Sequence, residues 1–369
     1  MRFIRRQLLA DLKILLCLIS TLIIIGMLFI YSSSSVFALD RFGSAHYFVK
    51  KQIFGLFFGL VGLFIFSILP LEFLRKLSPF LFFGSLGLTA MTLIPKFATT
   101  IHGSSRWLSL AGFSFQPSEL LKISFIVYLA HIISKKEQKL FSFIYGYLPF
   151  LIILGITALV LLKQPDFGLT VTLCATAFLL FFVAECKSKY LIITLLSSIP
   201  AIVALVWFKP YRLQRFLTFL DPWKDPKGSG FQIIQSLIAI GSGNWIGAGI
   251  AQSKQKFFYL PMQHTDFIFS IIAEETGFIG CTILITLYVF LIYFGMRIAW
   301  SLKETFSSFA VLGFTILVGL QSLTNFFVSV GLLPTKGIGL PFVSFGSSGL
   351  VALLCLLGVI INCVLEVRI

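Results

Sequence analysis

The stretch from Tyr259 to Gly277, YLPMQHTDFIFSIIAEETG, sets His264, Thr265 and Asp266 at the entrance of an apolar run that later holds Glu274 and Glu275. A carboxylate at such an edge has two uses. Thr265 can cap the helix that begins here, and Asp266 in its first turn suits the helix dipole. Alternatively, partial desolvation raises an aspartate pKa towards that of a useful general base, while neighbouring cations lower it. Glu274 returns closest to the helical face of Asp266, so a polar seam into the bundle is expected and Glu274 is read as a supporting residue.

Three other places carry charge where the surroundings are apolar. In FQPSELLK, Glu119 and Lys122 stand three apart, share one helical face and can neutralise each other. In KQPDFGLT, Pro165 suits a first turn and Asp166 a helix N-terminus, with Lys163 as an alternative partner. The long stretch 209–266 gathers Arg212, Arg215, Lys224, Lys227, Lys254 and Lys256 against Asp221 and Asp225. These bases are either a solvated loop touching anionic headgroups or a clamp for phosphate or pyrophosphate, which Arg can hold bidentately. The glycines from Gly241 to Gly249 lack the Lys-Ser/Thr ending of a P-loop.

The elements that position these residues follow from composition. The 369 residues are 58% hydrophobic and 12% charged, with a mean hydropathy of +0.99. A soluble domain carries about a quarter charged residues, so this chain is an all-α polytopic membrane protein. Ten spans are expected, at about 12–32, 49–69, 76–95, 118–134, 143–162, 167–184, 189–208, 267–295, 306–330 and 346–366. The apolar region near the N-terminus is too long for a typical signal peptide and reads as an uncleaved first span. With the N-terminus cytoplasmic, that face carries fourteen Lys and Arg and the short loops opposite carry seven, which sets both termini in the cytoplasm. Residues 209–266 then form one long extracytoplasmic loop between spans seven and eight, within a single membrane domain spanning 1–369. A loop of that length is usually functional, and GFQIIQSLIAIGSG inside it is too short to span and reads as a re-entrant or interfacial helix. No internal repeat argues for an inverted-repeat transporter.

The net charge of +15 is spread through loops between spans, not gathered in a stripe with interleaved aromatics, so no nucleic-acid partner is expected. Five of the six cysteines fall inside apolar runs, and no Cys or His spacing suits a metal, so neither a disulfide nor a structural metal is expected.

Several ordered motifs resemble the SEDS family (shape, elongation, division and sporulation), the bacterial peptidoglycan polymerases of the FtsW and RodA types. They are GSSRWLSLAGFSFQPSELLK at 103–122, QPDFGLT at 164–170, the loop pattern from Arg212 to Gln235, YLPMQHTDFIFSIIAEETG, and LLPTKGIGLPFVSFGSSG at 332–349. With the spans, they cover almost the whole chain. The form Pro334-Thr335-Lys336-Gly337 resembles the FtsW type more than RodA.

The resemblance implies a multi-pass protein of the bacterial cytoplasmic membrane that polymerises lipid II on the outer face into β-1,4-linked glycan, releasing undecaprenyl pyrophosphate. The aspartate of the family's His-Thr-Asp-Phe motif falls on Asp266, implying a general base for the GlcNAc 4-hydroxyl in an inverting transfer. Arg212, Arg215, Lys254, Lys256, His264 and Lys336 are the candidate substrate-binding residues, and Glu119, Lys122, Asp166 and Glu274 the supporting ones. A divalent cation, Mg or Mn, bridging Asp266 to phosphate is the candidate cofactor. The implied partners are a class B penicillin-binding transpeptidase and other division or elongation proteins. Two departures stand out: Met262 replaces the family's usual Glu, and Phe345 replaces its usual Tyr. A lipid II flippase and a noncatalytic scaffold for the transpeptidase are the alternative functions.

Overall fold

A computed structural model describes residues 2–96, 98–101, 104–110, 113–136, 141–207, 210–256, 260–335 and 337–366. Of these, the side chains at 2–4, 98–101, 104, 105, 110, 113, 114, 201, 202, 205, 206 and 210–212 are left outside the description. The long helices are α1 (Arg2–Phe42), α2 (Tyr47–Ile68), α3 (Leu71–Met91), α4 (Pro117–Lys135), α5 (Leu148–Lys163), α6 (Phe167–Val183), α7 (Ser188–Trp207), α10 (Ile268–Ser301), α11 (Thr305–Ser329) and α12 (Ser347–Leu365). Each expected span falls on one of them. By length and composition, seven helical segments among the described residues can cross a membrane: those of α1, α2, α4, α5 with the turn before it, α10, α11 and α12. Between α7 and α10 lie two shorter helices, α8 (Pro210–Leu220) and α9 (Phe231–Ser242). The second is the helix expected inside the long loop.

The expectation of an all-helical chain needs one correction. Between α3 and α4, strands β1 (Ala98–Ile101), β2 (Ser104–Leu110) and β3 (Phe113–Phe115) form an antiparallel sheet in the order β1-β2-β3. Trp107 pairs with Thr99, and Leu108 with both Ala98 and Phe115. Alternation along β2 puts Arg106 and Leu108 on one face and Trp107 on the other. The segment is too short and too interrupted by Gly to offer a helical period.

The core runs along α11 and α12. Phe306, Phe314, Leu317, Leu356 and Ile360 are buried there, with Phe125 of α4 against them. Helix α2 packs closely on α12 because Gly55 and Gly59, four apart, admit the neighbouring backbone. A Cβ at Gly59 would lie 2.5 Å from Leu354 Cδ1, and one at Gly55 2.8 Å from Ser347 Cβ. The N-terminus of α12 lies beside the turn before α10, where Phe345 N donates to the His264 carbonyl at 2.9 Å.

Helix α10 is broken at Gly277, whose φ of 65° and ψ of −162° suit glycine almost alone. A break orphans backbone groups on both sides, and the glycine-rich segment after α9 satisfies them. Ala248 and Gly249 donate to the carbonyls of Glu274 and Glu275 at 2.9 and 3.1 Å. Phe278 and Ile279 donate to the carbonyls of Asn244 and Trp245 at 2.9 and 3.2 Å. The glycines permit this approach: a Cβ on Gly247 would run into the Glu275 carbonyl, and one on Gly277 into the Gly247 nitrogen. Glycine here serves helix repair, which accounts for a Gly-rich run without a P-loop ending.

Candidate functional site

Asp266 sits in a turn one residue before the N-cap of α10, Phe267. The turn is built on Met262, whose φ is +55° and whose carbonyl accepts from the amides of Thr265, Asp266 and Phe267 at 3.1, 3.1 and 3.4 Å. The backbone of residue 262 therefore makes the turn, which survives the replacement of the family's Glu by Met. The expected capping does not occur. Thr265 Oγ1 donates back to the Met262 carbonyl at 3.1 Å, and no side chain caps α10. Asp266 is thus held outside the helix with its carboxyl uncommitted to the helix end.

The surroundings come from other parts of the chain. Asn325 of α11 donates to the carbonyls of Asp266 and Ile338 at 2.8 and 2.9 Å, tying the turn to the loop before α12. Within that loop Ser344 Oγ donates to the Thr265 carbonyl at 2.6 Å and accepts from Leu340 N at 2.7 Å. Gly337 lies so close that a Cβ would stand 3.6 Å from Asp266 Oδ2. Arg215, on exposed α8, donates to the Thr335 carbonyl at 3.4 Å.

Asp166 caps α6, with Oδ1 accepting from Leu169 N at 3.2 Å. Its ion partner is Arg106 of β2, at 3.5 Å, in place of the expected Lys163. Arg106 also donates to the carbonyls of Gln164 and Pro165 at 3.4 and 2.6 Å, which fixes the guanidinium at the end of α6. Burial pushes the Asp166 carboxyl up against the pull of Arg106, the Leu169 amide and Lys122, with Glu119 adding to the push. Glu119 and Lys122 pair at 2.5 Å beside Gly349 of α12, as their spacing predicts.

Asp266 is partly open to solvent but otherwise enclosed by protein. Desolvation pushes its carboxyl up to about 7, Arg106 and Arg215 pull it down, and Asp166 pushes it further up. A carboxyl near that value holds and releases a proton around neutral pH. The two arginines make its neighbourhood suited to an anionic group, and nothing local in the sequence marks Arg106 for this place.

Other candidates are placed elsewhere. His264 is buried among Phe37, Phe48 and Phe345, with ring centroids 5.8, 4.3 and 5.8 Å away. Burial pulls its pKa down to about 4, so it is a neutral packing ring and not a cation for phosphate. Phe345 uses its ring in the same cluster, 4.9 Å from Phe48. Lys256 is a second correction: its ammonium is buried, 3.9 Å from Glu275 and donating to the Ala251 carbonyl, so it is committed within the protein. Lys254 is exposed, and its amide donates to Glu274. The polar seam expected from Asp266 to Glu274 is replaced by contacts from Glu274 to residues 253–255. Lys336 and the side chain of Arg212 lie outside the described residues.

Among the described residues no group of three His, Cys, Asp or Glu side chains converges as metal ligands. Asp266 offers one carboxylate, which does not make a resident cage. It does match Mg²⁺, which keeps several waters and is bound through one or two carboxylates plus substrate phosphates.

Known proteins repeat this plan. The FtsW/RodA/SpoVE family, described as "Cell cycle protein", matches residues 12–368. A "Probable peptidoglycan glycosyltransferase FtsW" of Geobacter sp. (strain M18) is 41% identical over 337 residues, covering 91% of this chain and 92% of that one. Stage V sporulation protein E of Bacillus subtilis (strain 168) is 38% identical over 350 residues, covering 95% and 96%. Among solved structures, a chain from work on the "structural coordination of polymerization and crosslinking by a peptidoglycan synthase complex" superposes with a TM-score of 0.79 at 30% identity, covering 95% and 97%. The rod shape determining protein RodA of Thermus thermophilus gives a TM-score of 0.70 at 24% identity, covering 95% and 96%, a likeness of fold. The match extends from α1 through the broken α10 to the end of α12, and this multi-pass membrane protein accordingly belongs to the FtsW/RodA/SpoVE family of cell cycle proteins.

Proposed function

We propose that the protein is a peptidoglycan glycosyltransferase that joins lipid II units on the outer face of the bacterial cytoplasmic membrane. The observation that carries this is Asp266, a carboxyl held outside α10 with a pKa pushed up to about 7 and two arginines in electrostatic range. Asp266 takes the proton from the GlcNAc 4-hydroxyl of one lipid II as that oxygen bonds to the anomeric carbon of the growing chain. The bond from that carbon to pyrophosphate breaks on the opposite face, turning an α linkage into a β-1,4 bond. Undecaprenyl pyrophosphate leaves with the electron pair, and Arg106 and Arg215 stabilise its charge. A Mg or Mn ion fits this proposal as one carried in with the pyrophosphate, where it would offset phosphate charge and Asp266 would supply one ligand oxygen.

The placement of that chemistry rests on a ten-span topology with both termini cytoplasmic and residues 209–266 outside. A crosslinking transpeptidase of the penicillin-binding class is the proposed partner, supported by the synthase complex from which the 30% identical neighbour comes. Pro334-Thr335-Lys336-Gly337 and the FtsW-named relatives favour a division role.

Purified protein with lipid II, with and without the transpeptidase, tests the reading against Asp266→Asn. Glycan polymer from the wild type and a loss of about 10² to 10⁴-fold in the variant are expected. No polymer from the wild type, or equal polymer from both, overturns it.

A further inference from the structure

Glu274 and Glu275 are two adjacent buried carboxylates that the proposed reaction does not use. Glu274 Oε1 accepts from Lys254 N at 2.9 Å, and Oε2 accepts from Gln255 N at 3.4 Å and from Ser253 Oγ. Glu275 Oε2 accepts from Ala251 N at 3.0 Å. Its Oε1 accepts from Ser253 N at 3.4 Å and Ser32 Oγ at 2.6 Å, and faces Lys256 Nζ at 3.9 Å. Apart from Ser32 of α1, every one of these donors lies between residues 251 and 256.

The same segment leads straight to the turn that carries Asp266. Gln263 Nε2 donates to the Lys256 carbonyl at 3.1 Å and to the Ser33 carbonyl at 2.7 Å, and Leu260 N donates to the Gln255 carbonyl at 3.2 Å. The connections therefore close a ring. Asp266 is followed by the outer piece of α10, which carries Glu275 next to its last residue; Glu275 grips residues 251–256; those grip Gln263, three residues before Asp266. The hydroxyl of Ser32 and the carbonyl of Ser33 anchor this ring to α1 at two points.

We infer that Glu275 is a positioning residue for Asp266, bracing the turn from both of its ends through Lys256, Gln263 and the outer piece of α10. The assignment rests on the glycosyltransferase reading for its kinetic consequence, though not for its structural one. A general base works only when held within about 0.5 Å of its productive place, and losing the Glu275 carboxylate would also take one negative charge from beside the buried Lys256 ammonium.

The test uses the purified full-length protein and its Glu275→Ala, Glu275→Gln and Ser32→Ala variants. Hydrogen exchange is followed peptide by peptide, beside lipid II polymerisation. In Glu275→Ala, faster exchange confined to about residues 251–267 is expected, with α11 and α12 still protected. Its kcat should fall by about 10²-fold while KM changes little, since the loss is in placing the base and not in holding substrate. Glu275→Gln, which keeps one acceptor oxygen, for Ala251 N or for Ser32 Oγ and Ser253 N, should recover part of kcat. Unchanged exchange in 251–267 overturns the brace whatever the activity. So does loosening across α10 to α12 with activity falling in step with the folded fraction. If Glu275→Ala does not fold, Ser32→Ala decides: it should show a smaller local loosening in the same segment, and none would overturn the inference. A wild type that makes no polymer refutes the glycosyltransferase reading, while the exchange data still judge the brace.

Discussion

Asp266 feels two arginines and one aspartate, and their signs fix how the rate responds to pH. Burial raises its carboxyl to about 7, and the proposed general base acts in its ionised form, so the rate should rise with pH through a midpoint near 7 and level off about one unit above. Arg106 favours the ionised form; Arg106→Gln should move the rising limb to higher pH. Asp166 disfavours it, and Asp166→Asn should move the limb to lower pH while leaving an oxygen to cap α6. A pH–rate profile of the two variants checks both directions, and shifts of the same sign would contradict the electrostatic account. His264 should not contribute a step near neutrality, because burial pulls its pKa down to about 4. Sequence alone shows the Glu119–Lys122 pair, because helical spacing is local, and it shows Asp266, because an acid at an apolar edge is conspicuous. It does not show Arg106 beside Asp166, since that pairing joins two residues sixty apart through a small sheet. Nor does it single out Asn325, whose one amide in an apolar helix reads equally well as glue between helices.

Helix α10 carries the largest departure from its apparent simplicity. Its residues form one apolar run, so periodicity predicts an unbroken helix, and a single glycine in such a run is no strong signal of a break. The break exists because the segment 244–249 supplies four backbone hydrogen bonds that a continuous helix would make internally. Gly277→Ala should lower stability by about 1 to 3 kcal/mol from backbone strain alone, plus the clash with Gly247, and a lower melting temperature in detergent would register it. The close approach of α2 to α12 through Gly55 and Gly59 is more legible, since two glycines four apart in an apolar helix predict a tight neighbour. The identity of that neighbour, ten helices later in the chain, is not.

Across the whole molecule, α1 packs along α10, and among the described residues two polar contacts join them, Ser32 with Glu275 and Asp11 with Arg297. The second contact is a two-point ion pair at 2.9 and 3.0 Å, with Asp11 only 2% exposed. Removing Arg297 strands that carboxylate, so Arg297→Ala should lower the melting temperature, and Asp11→Asn added to it should recover part of the loss in a double-mutant cycle. The break in α10 divides labour between these two contacts. Residues 278 to 301, twenty-four in number, reach about 36 Å, enough to cross a hydrocarbon core of about 30 Å unaided. The nine residues from 268 to 276 are therefore surplus to anchoring. Hydrophobic mismatch in a thinner or thicker bilayer can be absorbed by bending of the long piece beyond Ile279, while the residues on both sides of the glycine break stay fastened to segment 244–249. On the proposed function, this arrangement would insulate Asp266 from the thickness of the membrane.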